Sequence, residues 1–271
     1  MVVLRHKHLN DITIILFTTL GSHLLAERTG FFVERLRNAR AVLIDNGVYH
    51  LIKTMKVVDY REVVKYGYRN IMRILRQLYR KDLDIYIVIP DYPFNHRLNY
   101  ECYRIFTREF SHIVKNYKTI YVLHGYWRAI LDNVDVDLLA VPFNTFTDIE
   151  IKDLRGRRTC RVDSNVAKYV LTRVIQHVKT YGYGSVHLLG ATGLTLKRLF
   201  KPLEKPCTTL DGVTISNDVL RHVHSVDTTC FHLAPRKKPG EKYLLPSREV
   251  EHEWFNIWVR DVVQIFDIVE Y

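Results

Sequence analysis

Short apolar runs alternate with longer amphipathic stretches along this chain, and that alternation does most to narrow the folds open to it. The runs are rich in Val, Ile and Leu and hold four to six residues each. Continuous runs of this kind are typical of parallel strands buried on both faces. They lie at residues 12–17, 41–44, 85–89, 119–123, 138–141, 186–189 and, with a weaker pattern, 223–226.

The stretches between the runs carry helical periodicity. Across residues 60–79, for example, Val63, Ile71 and Leu78 fall on one helical face. Residues 99–117, 165–180 and 249–268 are similar, and Asn99 and Ser164 are expected as N-caps.

Strand–helix alternation predicts parallel βαβ units, and seven candidate strands favour a (β/α)8 barrel over an open sheet. Residues 158–162 are one candidate for the missing strand, so we expect irregularity around strand six. No repeat or break in composition divides the chain, which predicts a single domain over residues 1–271.

The charge of the chain indicates an anionic partner. Its 271 residues include 40 Lys and Arg against 29 Asp and Glu, a formal net charge of +11. Nucleic acid is the usual partner for such an excess, and a generally basic solvated surface is the alternative. The residues expected to contact phosphates are Arg97, Arg128, Arg155, Arg157, Arg158, Lys237 and Lys238.

Cysteine usage and hydropathy indicate an intracellular, cytoplasmic protein. The four cysteines form no C-x-x-C pair, so neither a zinc site nor a disulfide framework is expected. No signal peptide is visible, and no apolar stretch reaches the roughly 18 residues of a membrane span. Neither nucleotide-binding glycine motif is present, so no cofactor is expected. The low count of Gln hints at a hot habitat.

Polar residues and glycines follow the apolar runs. Asp45, Asn46 and Gly47 end the run at 41–44, Asp91 follows 85–89, and Asp227 follows 223–226. In a parallel barrel, active-site residues lie where strands end. One strand-end Asp is often only a helix cap. Three on one rim predict a carboxylate-based site, with one carboxylate as nucleophile, another as general acid or base, and no obligatory metal.

The ordered motifs "IDNG", "IPDYP", "VLHG", "LAVP", "HLLGATG" and "SVDTT" resemble the strand ends of tRNA-guanine transglycosylases and their DNA-modifying relatives. The resemblance spans residues 41–230. It implies a (β/α)8 barrel and a pentosyltransferase that exchanges guanine in tRNA or DNA for a 7-deazaguanine base. The family's zinc-binding cysteines are absent here. His124 stands where the family has glutamine, and Pro142 where it has a glycine that contacts the base.

The resemblance also implies roles for individual residues. Asp227 would attack C1′ of the target nucleoside, Asp45 would transfer the proton, and Asp91 would bind the edge of the base. The base pocket would be completed by Asn46, Gly47, His124, Gly125 and Gly190. Asp211 in "TTLDGVT" is the alternative nucleophile. Tyr49, Tyr92 or Phe94 could stack on the base or simply pack at the barrel top.

Other functions stay open on the sequence alone. A non-catalytic nucleic-acid-binding barrel subunit and an N-glycosidic-bond hydrolase would share most of these features. The pairs His6-x-His8 and His222-x-His224 resemble those of barrel metallohydrolases, although few further ligands are well placed. The apolar stretch at 249–268 leaves a homodimer open.

Overall fold

A computed structural model describes somewhat more than half of the chain. The described residues are 2–4, 13–15, 41–48, 51–52, 58–76, 78, 83–93, 95–124, 129–142, 166–190, 199, 201, 203–209 and 212–227. Among the predicted elements, the stretch at 249–268, the strand candidate at 158–162 and the cap Ser164 lie outside these residues.

One eight-stranded sheet organises the described part of the fold. Its strands are β1 (Val2–Leu4), β2 (Thr13–Ile15), β3 (Ala41–Ile44), β4 (Asp84–Val88), β5 (Lys118–Val122), β6 (Leu138–Pro142), β7 (Val186–Leu189) and β10 (Val223–Asp227). Their order across the sheet is β2-β1-β10-β7-β6-β5-β4-β3. A separate antiparallel pair is formed by β8 (Cys207–Thr208) and β9 (Thr214–Ile215).

Six neighbouring strands, β3 to β7 and β10, run parallel. All six were predicted from apolar runs, to within one residue at each end. β1 was not predicted, and it runs antiparallel to both β10 and β2. β2 therefore runs in the same direction as the six parallel strands, so the sheet contains seven strands of one direction and one inverted strand, β1.

The sheet curls. Cα atoms of β2 and β3, the two ends of the strand order, approach within 8 Å of each other. β6 and β7 pair directly from Leu139–Val186 to Pro142–Leu189. β6 and β7 are therefore direct neighbours, with no further strand between them.

Helices follow β3, β4 and β6. They are α1 (Tyr60–Leu75), α2 (His96–Glu109), α3 (Ser111–Asn116) and α4 (Val166–Lys179), and a 3-10 helix at Asn217–His222 precedes β10. No described helix combines the length and the apolar character that a bilayer crossing requires.

The single helix predicted over 99–117 is two helices. The chain breaks at Phe110, whose φ of −118° and ψ of 37° are not helical. The predicted cap Asn99 was wrong: Asn95 caps α2 by accepting from the backbone N–H groups of Arg97 and Leu98. Asn99 lies inside the first turn and is buried.

The parallel strands are buried on both faces, which explains their continuous apolar runs. Alternate residues such as Val42, Ile44 and Ile87 pack under the helices. The other set fills the concave face with mostly small or β-branched side chains: Ala41, Leu43, Val88, Ile120, Val122, Leu138 and Ala140. The sheet is thus a rigid base whose strand ends hold side chains in fixed positions.

Candidate active site

Three neighbouring parallel strands end in polar residues that contact one another. The chain leaves β3 at Asp45-Asn46-Gly47, β4 at Ile89-Pro90-Asp91 and β5 at Leu123-His124. Because β3, β4 and β5 are adjacent and parallel, these ends meet at one rim of the sheet. We call the side chains of Asn46, Asp91 and His124 the rim triad.

The Asn46 side chain forms hydrogen bonds to residues that follow β3 and β4. Its side-chain nitrogen donates to the backbone oxygen of Ile89 at 3.0 Å and to Asp91 Oδ1 at 2.8 Å. Its side-chain oxygen accepts from the Val48 backbone N–H at 2.8 Å. Asn46 is only 1% exposed, so these bonds satisfy groups that water does not reach. Asn46 therefore fixes the position of the Asp91 carboxylate.

The second oxygen of Asp91 binds His124. His124 Nε2 lies 2.7 Å from Asp91 Oδ2, and both residues are buried. A carboxylate only accepts hydrogen bonds, so Nε2 carries a hydrogen in this pair. In the neutral imidazole Nδ1 is then an acceptor, whereas the protonated ring would donate from both nitrogens. The pair is an acid–base group oriented by a carboxylate.

A second asparagine, Asn99 on α2, supports the rim through two hydrogen bonds. Asn99 donates from Nδ2 to the Val122 backbone oxygen at 2.8 Å and accepts from the Tyr92 backbone N–H at 3.0 Å. It therefore joins the end of β5 to the residue after Asp91. The Tyr92 hydroxyl in turn donates to the Val58 backbone oxygen at 3.1 Å, just before α1.

α1 completes the support of the rim. Asn70 donates from Nδ2 to the Asn46 backbone oxygen at 3.0 Å. Gly47 follows with φ +70°, a conformation that favours glycine, and a Cβ there would lie 3.0 Å from the Asn70 side chain. The predicted glycine at this position thus serves backbone geometry and close approach to α1.

The structure describes four of the remaining predicted site residues. Asp45 directly precedes Asn46 and is half-buried. Gly190 directly follows β7 and has φ +66°. Asp227 is the last residue of β10 and pairs with Val2. Arg97 is exposed in the first turn of α2. Outside the described residues lie Asp211, Gly125, Arg128, Arg155, Arg157, Arg158, Lys237 and Lys238, and also Tyr49 and Phe94.

A further polar cluster lies on β7 and β10, and the sequence did not single it out as a site. Ser225 Oγ lies 2.8 Å from His187 Nδ1 and 3.1 Å from His224 Nδ1. His187 and Ser225 are fully buried, and the His224 ring lies 6.5 Å from that of Tyr86 on β4. The cluster stands two residues before Asp227 on the same strand.

Two buried groups near the rim are unsuited to nucleophilic chemistry. Burial raises the pKa of the Cys102 thiol, and the nearby Asp91 carboxylate raises it further. Burial likewise raises the pKa of the Tyr121 hydroxyl. Both groups therefore stay protonated and neutral at physiological pH, which leaves carboxylates and His124 as the reactive groups of the described rim.

The described residues contain no group of three side chains placed to hold a metal ion. In the pair His222-x-His224, both ring nitrogens of His222 have protein partners, Lys179 Nζ at 2.9 Å and the Gly184 backbone oxygen at 2.7 Å. His222 is therefore not disposed as a ligand. His6 and His8 lie outside the described residues.

Comparisons of this chain with protein-family models, with curated proteins and with solved structures find no match to any of them.

Proposed function

We propose that the chain is a base-exchange glycosyltransferase that replaces guanine in a nucleic acid, tRNA or DNA, with a 7-deazaguanine base on a (β/α)8-like barrel. The observation that carries the proposal is the rim triad, which joins the ends of β3, β4 and β5 beside Asp45. The same strand ends carry the motifs that resemble guanine transglycosylases, and the excess of positive charge favours a polyanionic substrate.

In the proposed reaction a carboxylate oxygen of Asp227 attacks C1′ of the target nucleoside. The bond from C1′ to guanine breaks, its electron pair stays on the base, and Asp45 supplies a proton to the leaving guanine. The incoming base then attacks C1′, the bond from C1′ to Asp227 breaks, and Asp45 takes back a proton. Asp211 is the alternative nucleophile.

The rim triad would bind the base. Each carboxylate oxygen of Asp91 accepts one bond already, from Asn46 or from His124, and has a further acceptor position. Those positions suit the N–H donors on the edge of guanine. His124 and Gly190 would line the same pocket, and Tyr92 is the described aromatic nearest to Asp91 in the chain.

Incorporation of labelled guanine and labelled 7-deazaguanine precursors into tRNA and duplex DNA tests the proposal. Wild type would run beside Asp227→Asn, Asp211→Asn and Asp91→Asn. The matched control is Asp84→Asn, because Asp84 is exposed at the start of β4, the end farther from Asp91, and pairs with Lys118 at 3.0 Å. We expect label to enter one polymer, loss of label in one nucleophile variant and in Asp91→Asn, and no loss in Asp84→Asn.

Denaturing electrophoresis adds a second readout, since a covalent protein–polymer adduct should form in wild type and disappear with the nucleophile. An adduct and exchange that persist in both Asp227→Asn and Asp211→Asn would contradict the mechanism.

The pairing of His124 with Asp91 favours a second candidate, an N-glycosidic-bond hydrolase. An imidazole oriented by a carboxylate is suited to take a proton from water. In that case guanine would be released with no label entering either polymer. Binding of nucleic acid without release or exchange would instead indicate a non-catalytic barrel subunit.

A further inference from the structure

We propose that the outward face of α1 binds the phosphate backbone of a nucleic-acid duplex and holds it in register with the rim triad. The inference rests on nucleic acid as the substrate class of the proposed function. The surface, which we call the α1 basic face, consists of Arg61, Lys65, Arg69, Arg73 and Arg76.

The spacing of these five residues places them on one side of the helix. They follow one another at intervals of four, four, four and three, the separations at which helical side chains are neighbours. The buried residues Val63, Gly67 and Ile74 lie on the opposite side. Arg73 is half-buried and the other four are exposed. The result is a row of five cations along one side of the helix, four of them exposed.

Among the residues that the structure describes, acidic side chains do not balance the charge of this row. Glu62, the one carboxylate within α1, pairs with Lys65 at 3.0 Å, and both side chains are exposed to solvent. Within the described part of the chain the four arginines of the face make no ion pair, and the buried Arg73 Nε has no hydrogen-bond partner. Like charges four residues apart destabilise a helix, so an anion along this face would relieve repulsion.

The neighbouring α2 shows the ordinary arrangement of surface charge. Arg104 pairs with Glu101 at 3.1 Å, and Arg108 pairs with Glu109 at 3.0 Å. α1 and α2 pack against each other, so the contrast concerns two helices of one surface. The excess of charge is therefore a property of α1 and not of every exposed helix.

The length of the row fits an extended polyanion. From Arg61 to Arg76 the helix rises by about 22 Å, at about 1.5 Å per residue. One strand of a DNA duplex carries a charge about every 3.4 Å along its axis, so the row spans about six phosphates. A membrane surface is disfavoured, because Tyr181 is the one large apolar side chain exposed among the described residues and it is not on α1.

The opposite side of α1 contacts the rim through hydrogen bonds and close packing. Asn70 binds the Asn46 backbone oxygen, Gly67 lies against Pro90, and Tyr92 binds the Val58 oxygen two residues before the helix. A backbone held on the outer face of α1 is thereby held at a set distance from Asn46 and Asp91. The helix would act as the positioning element between the surface and the site.

A pair of triple variants tests the α1 basic face. Arg61→Gln with Arg69→Gln and Arg76→Gln removes three of its charges. The matched control, Arg104→Gln with Arg108→Gln and Lys115→Gln, removes three exposed charges from α2 and α3. Both lower the net charge equally, so only the position of the lost charge differs. Circular dichroism verifies that each variant folds.

The measurement is the affinity for a duplex of about 30 base pairs, and for its single strand, between about 50 and 200 mM salt. Each lost phosphate contact lowers the slope of log K against log salt by about 0.9. We expect the duplex slope to fall by about two to three in the α1 variant and to stay near wild type in the control. Equal losses in both variants, or a loss confined to the single strand, would overturn the proposal.

Lysine acetylation of the wild-type protein keeps the test independent of mutant folding. Bound duplex should protect Lys65 on α1 and leave Lys115 on α3 reactive, and equal reactivity of both would contradict the proposal. Exchange assays separate this question from the proposed chemistry. A wild type that binds duplex through α1 but exchanges no base would reject only the proposed function.

Discussion

At the residue scale, the candidate site depends on amide side chains that bind backbone groups of neighbouring strand ends. Asn46 and Asn99 each join two segments that are distant in sequence. A carboxylate could not replace them, because each asparagine donates and accepts at once whereas an ionised carboxylate only accepts. The carboxylate of Asp91, which we propose binds the base, owes its position to Asn46.

Asn46→Asp should strongly destabilise the fold. The change replaces a donor with an acceptor, 2.8 Å from Asp91 Oδ1 and 3.0 Å from the Ile89 oxygen, at a position closed to water. We expect a loss of about 3 kcal/mol in the free energy of unfolding, measured by urea denaturation. The control Asn116→Asp alters an exposed amide that binds the His112 backbone oxygen, and should cost less than about 1 kcal/mol. Similar losses in the two variants would contradict this account of Asn46.

Lys168 should make the free energy of unfolding depend on pH in the alkaline range. It is fully buried, its amine donates to the Lys201 backbone oxygen, and burial lowers its pKa to about 8. An unfolded lysine keeps its proton up to about pH 10.4, so between these values the unfolded state binds more protons and stability rises with pH. Below about pH 8 the folded state bears the cost of a buried charge.

Comparison with Lys168→Met isolates this contribution. Between about pH 7.5 and 10.5, wild type should gain on the order of 3 kcal/mol in unfolding free energy relative to the variant. The exposed Lys115→Met should follow wild type at every pH. Parallel curves for wild type and Lys168→Met would show that the amine keeps its ordinary pKa.

The sequence predicted which residues lie at the rim but not the hydrogen bonds between them. Asp45, Asn46, Asp91 and His124 were visible because each follows an apolar run. The bonds between them depend on strand order, which the sequence does not state. Asn99 was mistaken for a cap, because asparagine near a helix start usually is one. Asn70 resembled any polar residue of an amphipathic helix.

At the scale of elements, α1 packs closely against the loop after β4 because Gly67 has no side chain. A Cβ on Gly67 would lie 2.6 Å from Pro90 Cγ and 2.8 Å from Pro90 Cβ. Pro90 immediately precedes Asp91, so the packing of α1 against Pro90 influences the position of the Asp91 carboxylate at the rim.

Gly67→Ala should therefore destabilise the protein, although alanine is normally the better helix residue by about 1 kcal/mol. We expect a net loss of about 1–3 kcal/mol from overpacking, together with weaker base exchange. At Gly184 an added Cβ meets nothing within 4 Å, so Gly184→Ala should change stability by less than about 0.5 kcal/mol. Thermal unfolding of the two variants decides the matter, and a stabilised Gly67→Ala would reject the tight contact.

Element boundaries followed the sequence where strands are largely buried. β3 and β7 have the predicted bounds: all four residues of β3 and the first three of β7 are buried. The break at Phe110 was missed because the apolar periodicity continues through it. Phe110 still packs, stacking on Tyr68 of α1 with ring centroids 3.8 Å apart.

At the scale of the whole molecule, the inverted strand β1 distinguishes this sheet from a uniform parallel barrel. Only residues 5–12 separate β1 from β2. A parallel connection needs a dozen or more residues, so this short link dictates an antiparallel pair. β1 itself was missed because its three residues are fewer than a recognisable run.

β1 lies between β2 and β10, so its backbone donors are flanked on both sides. Val3→Pro should remove a ladder hydrogen bond and cost about 1–3 kcal/mol. Val3→Ala keeps the N–H group and separates this effect from the loss of side-chain volume. Urea midpoints should place Val3→Pro well below Val3→Ala, and coincident midpoints would show that β1 contributes little.

The pairing of Val2 with Asp227 also has a consequence for the time course of folding. The two partners are separated by most of the chain, and contacts of such long sequence separation form slowly. During synthesis the first strand emerges long before its partner exists. The strand that carries the proposed nucleophile is therefore flanked on both sides only after residues 2–227 have all been synthesised, so the proposed catalytic competence should be acquired late in folding.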